Sequence, residues 1–388
     1  MPETRDQPPS SRRLRVLAVA LVALGLAVRL TLALMVGERQ AARAPDSTVY
    51  LDLGKAVAEG RGLDVTATPS DPAAAAPKMP GYPALLALGE RLFDEPVRAV
   101  LVFQALCGAA AMAVAAWIAS RLAGPWAGPV ALALLVFDPY QVYFAALVTP
   151  VVPTGLAVAI LAAAGVKILD RAENVRAASV SSRLSVAEQK APRLRVDAWP
   201  LLMILAWVAA VCLEFWAILL LPVGLAIAVA ASDKRRLLVP WLTVVSFAGV
   251  VVCMLLLLLL VPHRQWALLT PPSADSLLAA LRLWAPASVM GENSTALPAV
   301  AGYTSMVPVI LLALAGVWGL RRRLSAVAWL LALAVALTLA ALVMPVPPYA
   351  RLAVIPLLAA LGGVGLATLL RGGGSGDPPR DARPEPRT

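Results

Sequence analysis

Long apolar runs alternate with short polar stretches along most of this chain. A helix needs about 20 mostly apolar residues to cross the hydrocarbon layer of a bilayer. Runs of that character occur at 15–36, 97–120, 127–142, 143–169, 198–213, 215–231, 237–261, 304–320, 325–344 and 351–370. The pattern predicts an all-α polytopic membrane protein with about ten transmembrane helices. Two stretches are expected to be interrupted. The first, 127–169, is expected to divide around Asp138-Pro139, because proline cannot continue a helix. The second, 198–231, is expected to turn at Glu214.

The polar stretches give an orientation. Arg12, Arg13 and Arg15 precede the first run, and Arg121 follows the second. Arg171, Arg176, Arg183, Lys190, Arg193 and Arg195 fill the next basic stretch. Lys234-Arg235-Arg236 and Arg321-Arg322-Arg323 mark two further turns, and Arg371, Arg380, Arg383 and Arg387 follow the last run. With an even number of spans, all of these lie on one side, and the positive-inside rule makes that side cytoplasmic. The expectation is a multi-pass protein of an inner (plasma) membrane with both termini in the cytoplasm. Residues 1–14 form a cytoplasmic N-terminal segment, 15–371 the transmembrane domain and 372–388 a disordered cytoplasmic tail. The first run reads as a retained span and not a cleaved signal, since it is long and Arg29 interrupts it. Two outer loops, 37–95 and 262–303, are too long to be simple turns, and loops of that length tend to carry function. The inner loop 172–196 is polar, lacks aromatic residues and is expected to be flexible.

Composition agrees with lipid as the solvent. The 388 residues are 60% hydrophobic and 14% charged, where a soluble chain carries about a quarter charged residues. A net charge of +10 does not point to nucleic acid here, because the basic residues sit between apolar runs and form no basic face. Cys107, Cys212 and Cys253 all fall inside apolar runs without metal or disulfide spacing. A single histidine, His263, excludes a site built on several imidazoles.

Candidate chemistry collects in the first outer loop. In residues 46–63, DSTVYLDLGKAVAEGRGL, the positions Val49, Leu53 and Val57 predict an amphipathic helix on the outer membrane face, capped by Asp46 or Ser47 and ended at Gly60. Pro80-Gly81-Tyr82-Pro83 predicts a rigid turn, with a second short amphipathic helix after it. Asp138, Glu214 and Arg351 lie at the outer edges of apolar runs, and Arg29 lies nearer the middle of one. Ionisable groups so placed are costly in lipid and are expected to face a cavity or a partner.

The order of these features resembles the type C glycosyltransferases, the superfamily of protein O-mannosyltransferases and of the aminoarabinose transferase that acts on lipid A. The resemblance rests on a first span followed by Asp46, Tyr50, Gly54, Ala56, Gly60 and Gly62, then on Pro80-Gly81-Tyr82-Pro83-Ala84-Leu85-Leu86. It continues through the Gly/Ala-rich stretch 107–124, through LALLVFDPYQVYFAAL at 132–147, and through Tyr349-Ala350-Arg351-Leu352 with Pro356. It covers residues 15–170 well and the last span in part. Two features depart from the family's pattern. Thr149-Pro150-Val151 stands where a second acid is often found, and Glu214-Phe215 stands where relatives tend to have Arg-Pro.

The resemblance implies transfer of a sugar from a polyprenyl-phosphate donor to a glycan, lipid or protein acceptor at the extracytoplasmic face. It makes Asp46 the general base and Arg351 the first candidate cation for the leaving phosphate. Lys78 and His263, with Arg264 and Arg282, are further cations, and Tyr50, Tyr82 and Tyr349 are candidate sugar-site residues. It assigns no resident cofactor beyond the donor substrate and leaves a divalent metal open. Its partners are membrane lipid, the polyprenyl-phosphate sugar and the acceptor, with no nucleic acid. Two other readings remain: a flippase or transporter for a lipid-linked sugar, and a catalytically inactive membrane scaffold of the same fold.

Overall fold

The computed structural model describes residues 9–37, 41–42, 46–63, 78–182, 198–230, 296–320, 324–343 and 348–372. Every regular element among them is helical. The expected span 237–261, the basic turns at 234–236 and 321–323, and the tail from 373 lie outside the described residues.

Helix α1 (Pro9–Met35) is followed by two helices of twelve residues each, α2 (Ser47–Ala58) and α3 (Gly81–Leu92), which pack on each other. Then come α4 (Pro96–Ala123), α5 (Ala127–Val136), the short α6 (Pro139–Phe144) and α7 (Val151–Ser182). Helix α8 (Trp199–Leu213) leads through a 3-10 turn at Phe215–Leu219 into α9 (Leu220–Ala230). The last elements are α10 (Ala296–Gly319), α11 (Leu324–Val343), a 3-10 turn at Pro348–Ala353, and α12 (Ile355–Gly372). By length and apolarity Arg12–Met35, Pro96–Ala123 and Val151–Arg171 can each cross a membrane, and five shorter apolar helices accompany them among the described residues.

Both expected interruptions occur. Helix α5 stops at Val136, and Asp138 restarts the chain as α6 by accepting backbone N–H bonds from Tyr140 (2.9 Å) and Gln141 (3.1 Å), with Pro139 in the first turn where no N–H is needed. Helix α8 ends at Leu213, Glu214 is extended, and the Trp207 indole donates to the Ala217 carbonyl (2.9 Å), closing the turn back onto α8.

Four boundaries differ from the sequence expectation. The span expected from 143 begins at Val151, because Pro150 and Pro153 fit only the start of a helix. At its other end α7 continues through Ser182, since RAENVRAASV is rich in Ala, Arg and Glu, which favour helix without apolar contacts. Helix α10 starts at Ala296, before the expected 304. The last span starts at Ile355, with Pro356 in its first turn, so Arg351 stands on the preceding 3-10 turn and not in the helix.

Small residues let the helices approach closely, as membrane packing requires. A Cβ on Gly365 would lie 2.0 Å from the Leu312 carbonyl oxygen, which locks α12 against α10. Trp329 of α11 donates to the Ala162 carbonyl of α7 (3.1 Å). At one end of the bundle Arg121 pairs with Asp170 (2.9 Å), and Lys167 lies over the stacked rings of Trp117 and Trp199. The opposite end gathers the buried polar groups.

Candidate functional site

Asp46 occupies the N-cap position of α2, but its side chain makes no cap hydrogen bond. It accepts instead from Lys78 Nζ at 3.0 Å, and both side chains are almost wholly buried, at 2% and 6% exposed. Ser47, the other expected cap, donates to the Val148 carbonyl (2.7 Å) and ties the start of α2 to the chain between α6 and α7. The Val148 N–H donates to the Ala41 carbonyl (2.8 Å) and reinforces that junction.

Lys78 also lies 5.1 Å from the centre of the Tyr50 ring, so the ammonium has a carboxylate and an aromatic face as neighbours. Tyr50 meets Tyr82 edge to face at 5.1 Å. The Tyr82 hydroxyl donates to Gln104 Oε1 (2.6 Å), and Gln104 Nε2 donates to the carbonyls of Leu147 (2.8 Å) and Ala145 (3.3 Å). Burial raises both tyrosine hydroxyls well above their ordinary range. The charges of Glu214 and Asp46 reinforce this at Tyr50, and the charge of Asp46 does so at Tyr82. Both phenols therefore stay neutral hydrogen-bonding groups in the physiological range.

The non-helical turn expected at Pro80-Gly81-Tyr82-Pro83 is instead the start of α3, with Pro80 as its N-cap and Gly81, Tyr82 and Pro83 in its first turn, where proline needs no N–H partner. A Cβ on Gly81 would sit 2.6 Å from the Cys212 carbonyl oxygen, so the first turn of α3 seats directly on the last turn of α8. Leu213 packs among Tyr50, Tyr82, Leu86 and Val148. Glu214 follows, 7% exposed, and its Oε1 has no hydrogen-bond partner among the described residues. Burial pushes its carboxyl up to about 8. The Asp46 charge adds to that shift, and Lys78 opposes it.

A second buried group surrounds Asp138. Arg29 donates to the carbonyls of Gly25 (3.0 Å) and Leu135 (3.2 Å), and electrostatically it faces Asp138. Arg351 is fully buried, with Asp138 and Tyr140 as charge neighbours. Gln141 donates to the Leu352 carbonyl (2.6 Å) and holds the Arg351 turn on α6. Tyr349 belongs to the same 3-10 turn.

Of the residues singled out from sequence, Asp46, Tyr50, Lys78 and Tyr82 come together in one cluster. Arg351 is placed on Asp138 and Tyr140. His263, Arg264 and Arg282 lie outside the described residues. Sequence reasoning missed Gln104, whose only signal is an amide in an otherwise apolar run, and it did not join Glu214 to Asp46. Among the described residues no three His, Cys, Asp or Glu side chains converge as metal ligands. A groove of about 870 Å³ between α1, α4 and α5 is lined by Arg15, Val22, Trp117 and Ser120 and touches none of the site residues.

Residues 75–181 match the family model of dolichyl-phosphate-mannose-protein mannosyltransferases. That segment carries Lys78, Tyr82, Gln104 and Asp138, but not Asp46, Glu214 or Arg351. No curated protein matches the chain by sequence. Among solved structures, ArnT from Cupriavidus metallidurans bound to undecaprenyl phosphate superposes with a TM-score of 0.59 at 18% identity, covering 90% of this chain and 59% of ArnT. The archaeal oligosaccharyltransferase AglB from Archaeoglobus fulgidus, in complex with an inhibitory peptide and a dolichol-phosphate, gives 0.56 at 13% identity, covering 90% of this chain and 50% of AglB. The chain thus spans about three fifths of the one relative and half of the other. The chain matches the mannosyltransferase family model over residues 75–181 and shares one fold with ArnT and AglB over nine-tenths of its length.

Proposed function

We propose that this chain transfers a sugar from a polyprenyl-phosphate donor to a glycan, lipid or protein acceptor at the extracytoplasmic face of an inner membrane, with Asp46 as general base. The buried Asp46–Lys78 pair carries the reading. Glycosyl transfer needs a carboxylate to take the acceptor proton and a cation beside the phosphate that leaves. The pair supplies both in a site from which water is excluded.

In the proposed step the acceptor oxygen attacks the anomeric carbon, its proton passes to Asp46, and the bond from that carbon to the phosphate oxygen breaks. The electron pair leaves with the polyprenyl phosphate, whose added negative charge faces Lys78 and, from the neighbouring cluster, Arg351. Tyr50 and Tyr82 offer aromatic faces and neutral hydroxyls to the sugar. Undecaprenyl phosphate in ArnT and dolichol-phosphate in AglB support a carrier of this chemical class.

The test is reconstitution of the full chain in liposomes with polyprenyl-phosphate sugars and an acceptor, measuring released polyprenyl phosphate for wild type and Asp46→Asn. Loss of a base predicts a fall of about 10²–10⁴-fold. Equal release by both proteins overturns the assignment. Sugar crossing the bilayer with its phosphate bond intact marks a flippase instead.

A further inference from the structure

The Asp46–Lys78 site contains a third ionisable group from a distant part of the chain. Glu214 is the residue immediately after α8, and the contact of Gly81 with the Cys212 carbonyl sets the end of α8 against the segment that carries Lys78. Leu213, next to Glu214, packs in the Tyr50–Tyr82 cluster. Glu214 is more than nine-tenths buried, and its Oε1 has no hydrogen-bond partner among the described residues. A buried carboxyl oxygen left without a partner is expensive and marks a place where a ligand or a proton belongs.

The charged and titratable groups facing Glu214 are Asp46 at the start of α2, Tyr50 on α2 and Lys78 before α3. Tyr82 on α3 and the Cys212 thiol on α8 are the further titratable groups turned inward there, while Asp52 and Lys55 of α2 and Glu90 and Arg91 of α3 are exposed. The 3-10 turn, α9 and α11, which pack around the same turn, carry no titratable residue. The site therefore holds two carboxyl groups and a single lysine. With both carboxyls charged, Lys78 has two claimants and the site opposes an incoming phosphate. With one of them neutral, the Asp46–Lys78 pair is balanced and a phosphate meets no excess negative charge.

We propose that Glu214 is the second carboxyl of the Asp46–Lys78 site and a positioning residue for donor phosphate. In its neutral form it leaves Lys78 to Asp46 and the phosphate, and in its charged form it draws on Lys78 and repels the phosphate. This rests on the reading of the site as one that binds polyprenyl phosphate. The pH range in which the switch operates follows from the raised affinity of the Glu214 carboxyl for its proton, to about 8.

The experiment measures binding of undecaprenyl phosphate to the full chain in detergent micelles at pH 7 and pH 9, for wild type and Glu214→Gln. The second ionisation of the phosphate is common to both proteins and cancels in their ratio. Wild type is expected to lose about tenfold more affinity than Glu214→Gln across that range, the size of one added like charge at short range in a partly screened site. Equal pH dependence in the two proteins overturns the role of Glu214 and leaves the donor site standing. Absence of binding by wild type at either pH overturns the donor reading and this inference with it. A second measurement serves if Glu214→Gln does not fold. Glu214→Asp keeps a titrating carboxyl and is expected to keep the wild-type loss of affinity, and pH-independent binding by that variant refutes the proposal.

Discussion

Lys78→Met is the perturbation that most directly tests the buried pair. Methionine keeps much of the lysine stem's volume, so the change removes the ammonium and little packing. The pair is 3.0 Å long with both side chains nearly inaccessible, so Asp46 loses its cation in a place where water cannot replace it. Breaking a buried pair from one side costs about 3–5 kcal/mol, and the contact of the ammonium with the Tyr50 face is worth about 0.5–2 kcal/mol more. Asp46→Asn should also destabilise, because Lys78 then loses the carboxylate it contacts at 3.0 Å. The double variant Asp46→Asn/Lys78→Met removes both charges, and for it a loss well below the sum of the singles is expected, since no charge is left buried without its counter-charge. The assay is reversible unfolding of the full chain in mixed micelles with a denaturing detergent, comparing the four proteins as a double-mutant cycle. A Lys78→Met protein as stable as wild type refutes the reasoning, and so does a double variant whose loss equals the two singles added together.

Four further outcomes are expected. Gly81→Ala places a Cβ 2.6 Å from the Cys212 carbonyl oxygen, a backbone atom that cannot swing aside, so stability in the same unfolding assay should fall by about 1–3 kcal/mol or more and transfer activity with it. Gln104→Leu leaves the Tyr82 hydroxyl and the Leu147 carbonyl without their partner and should cost about 1–3 kcal/mol in thermal unfolding. Arg351→Lys keeps the charge but not the planar fork that faces Asp138 and Tyr140, and the rate of polyprenyl phosphate release should fall at least about tenfold. Glu214 gives stability a pH slope. Its carboxyl titrates at about 8 in the fold against an ordinary 4.5, so the folded chain holds the proton more tightly, stability is fully present below 4.5, and it declines as pH rises toward 8. Unfolding at pH 5 and pH 8.5 should show a smaller difference for Glu214→Gln than for wild type.

The ease of reading each part from sequence follows the distance over which its causes act. Apolar runs report burial residue by residue, so the all-helical fold and its two interruptions at Asp138 and Glu214 were legible. Proline and aspartate act on their nearest neighbours, and the break at Asp138-Pro139 needs only those two residues. The ends of α7 and α12 were less legible, because hydropathy cannot tell where a helix ends from where the membrane ends. The segment after Asp170 is polar but strongly helix-forming, and the run before Pro356 is apolar but bends.

Asp46, Tyr50, Lys78 and Tyr82 stood out because polar and aromatic residues bracket short helical motifs within one loop. Their mutual geometry was not legible. Asp46 and Lys78 are 32 positions apart, and Asp46 has the local signature of a helix cap, a role its carboxylate does not fill. Glu214 stands further away still, and only the seating of a side-chain-free Gly81 on the Cys212 carbonyl brings it to the pair. Glu214 and Thr149 are the two places where the sequence departs from the pattern it resembles. Here Glu214 is electrostatically coupled to Asp46, Lys78 and Tyr50, and Thr149 borders the same cluster through its backbone N–H toward Tyr82. The two departures from the family pattern therefore act on one site. The second carboxyl of this site stands at the end of α8, and no reading of either segment alone would have connected it to Asp46.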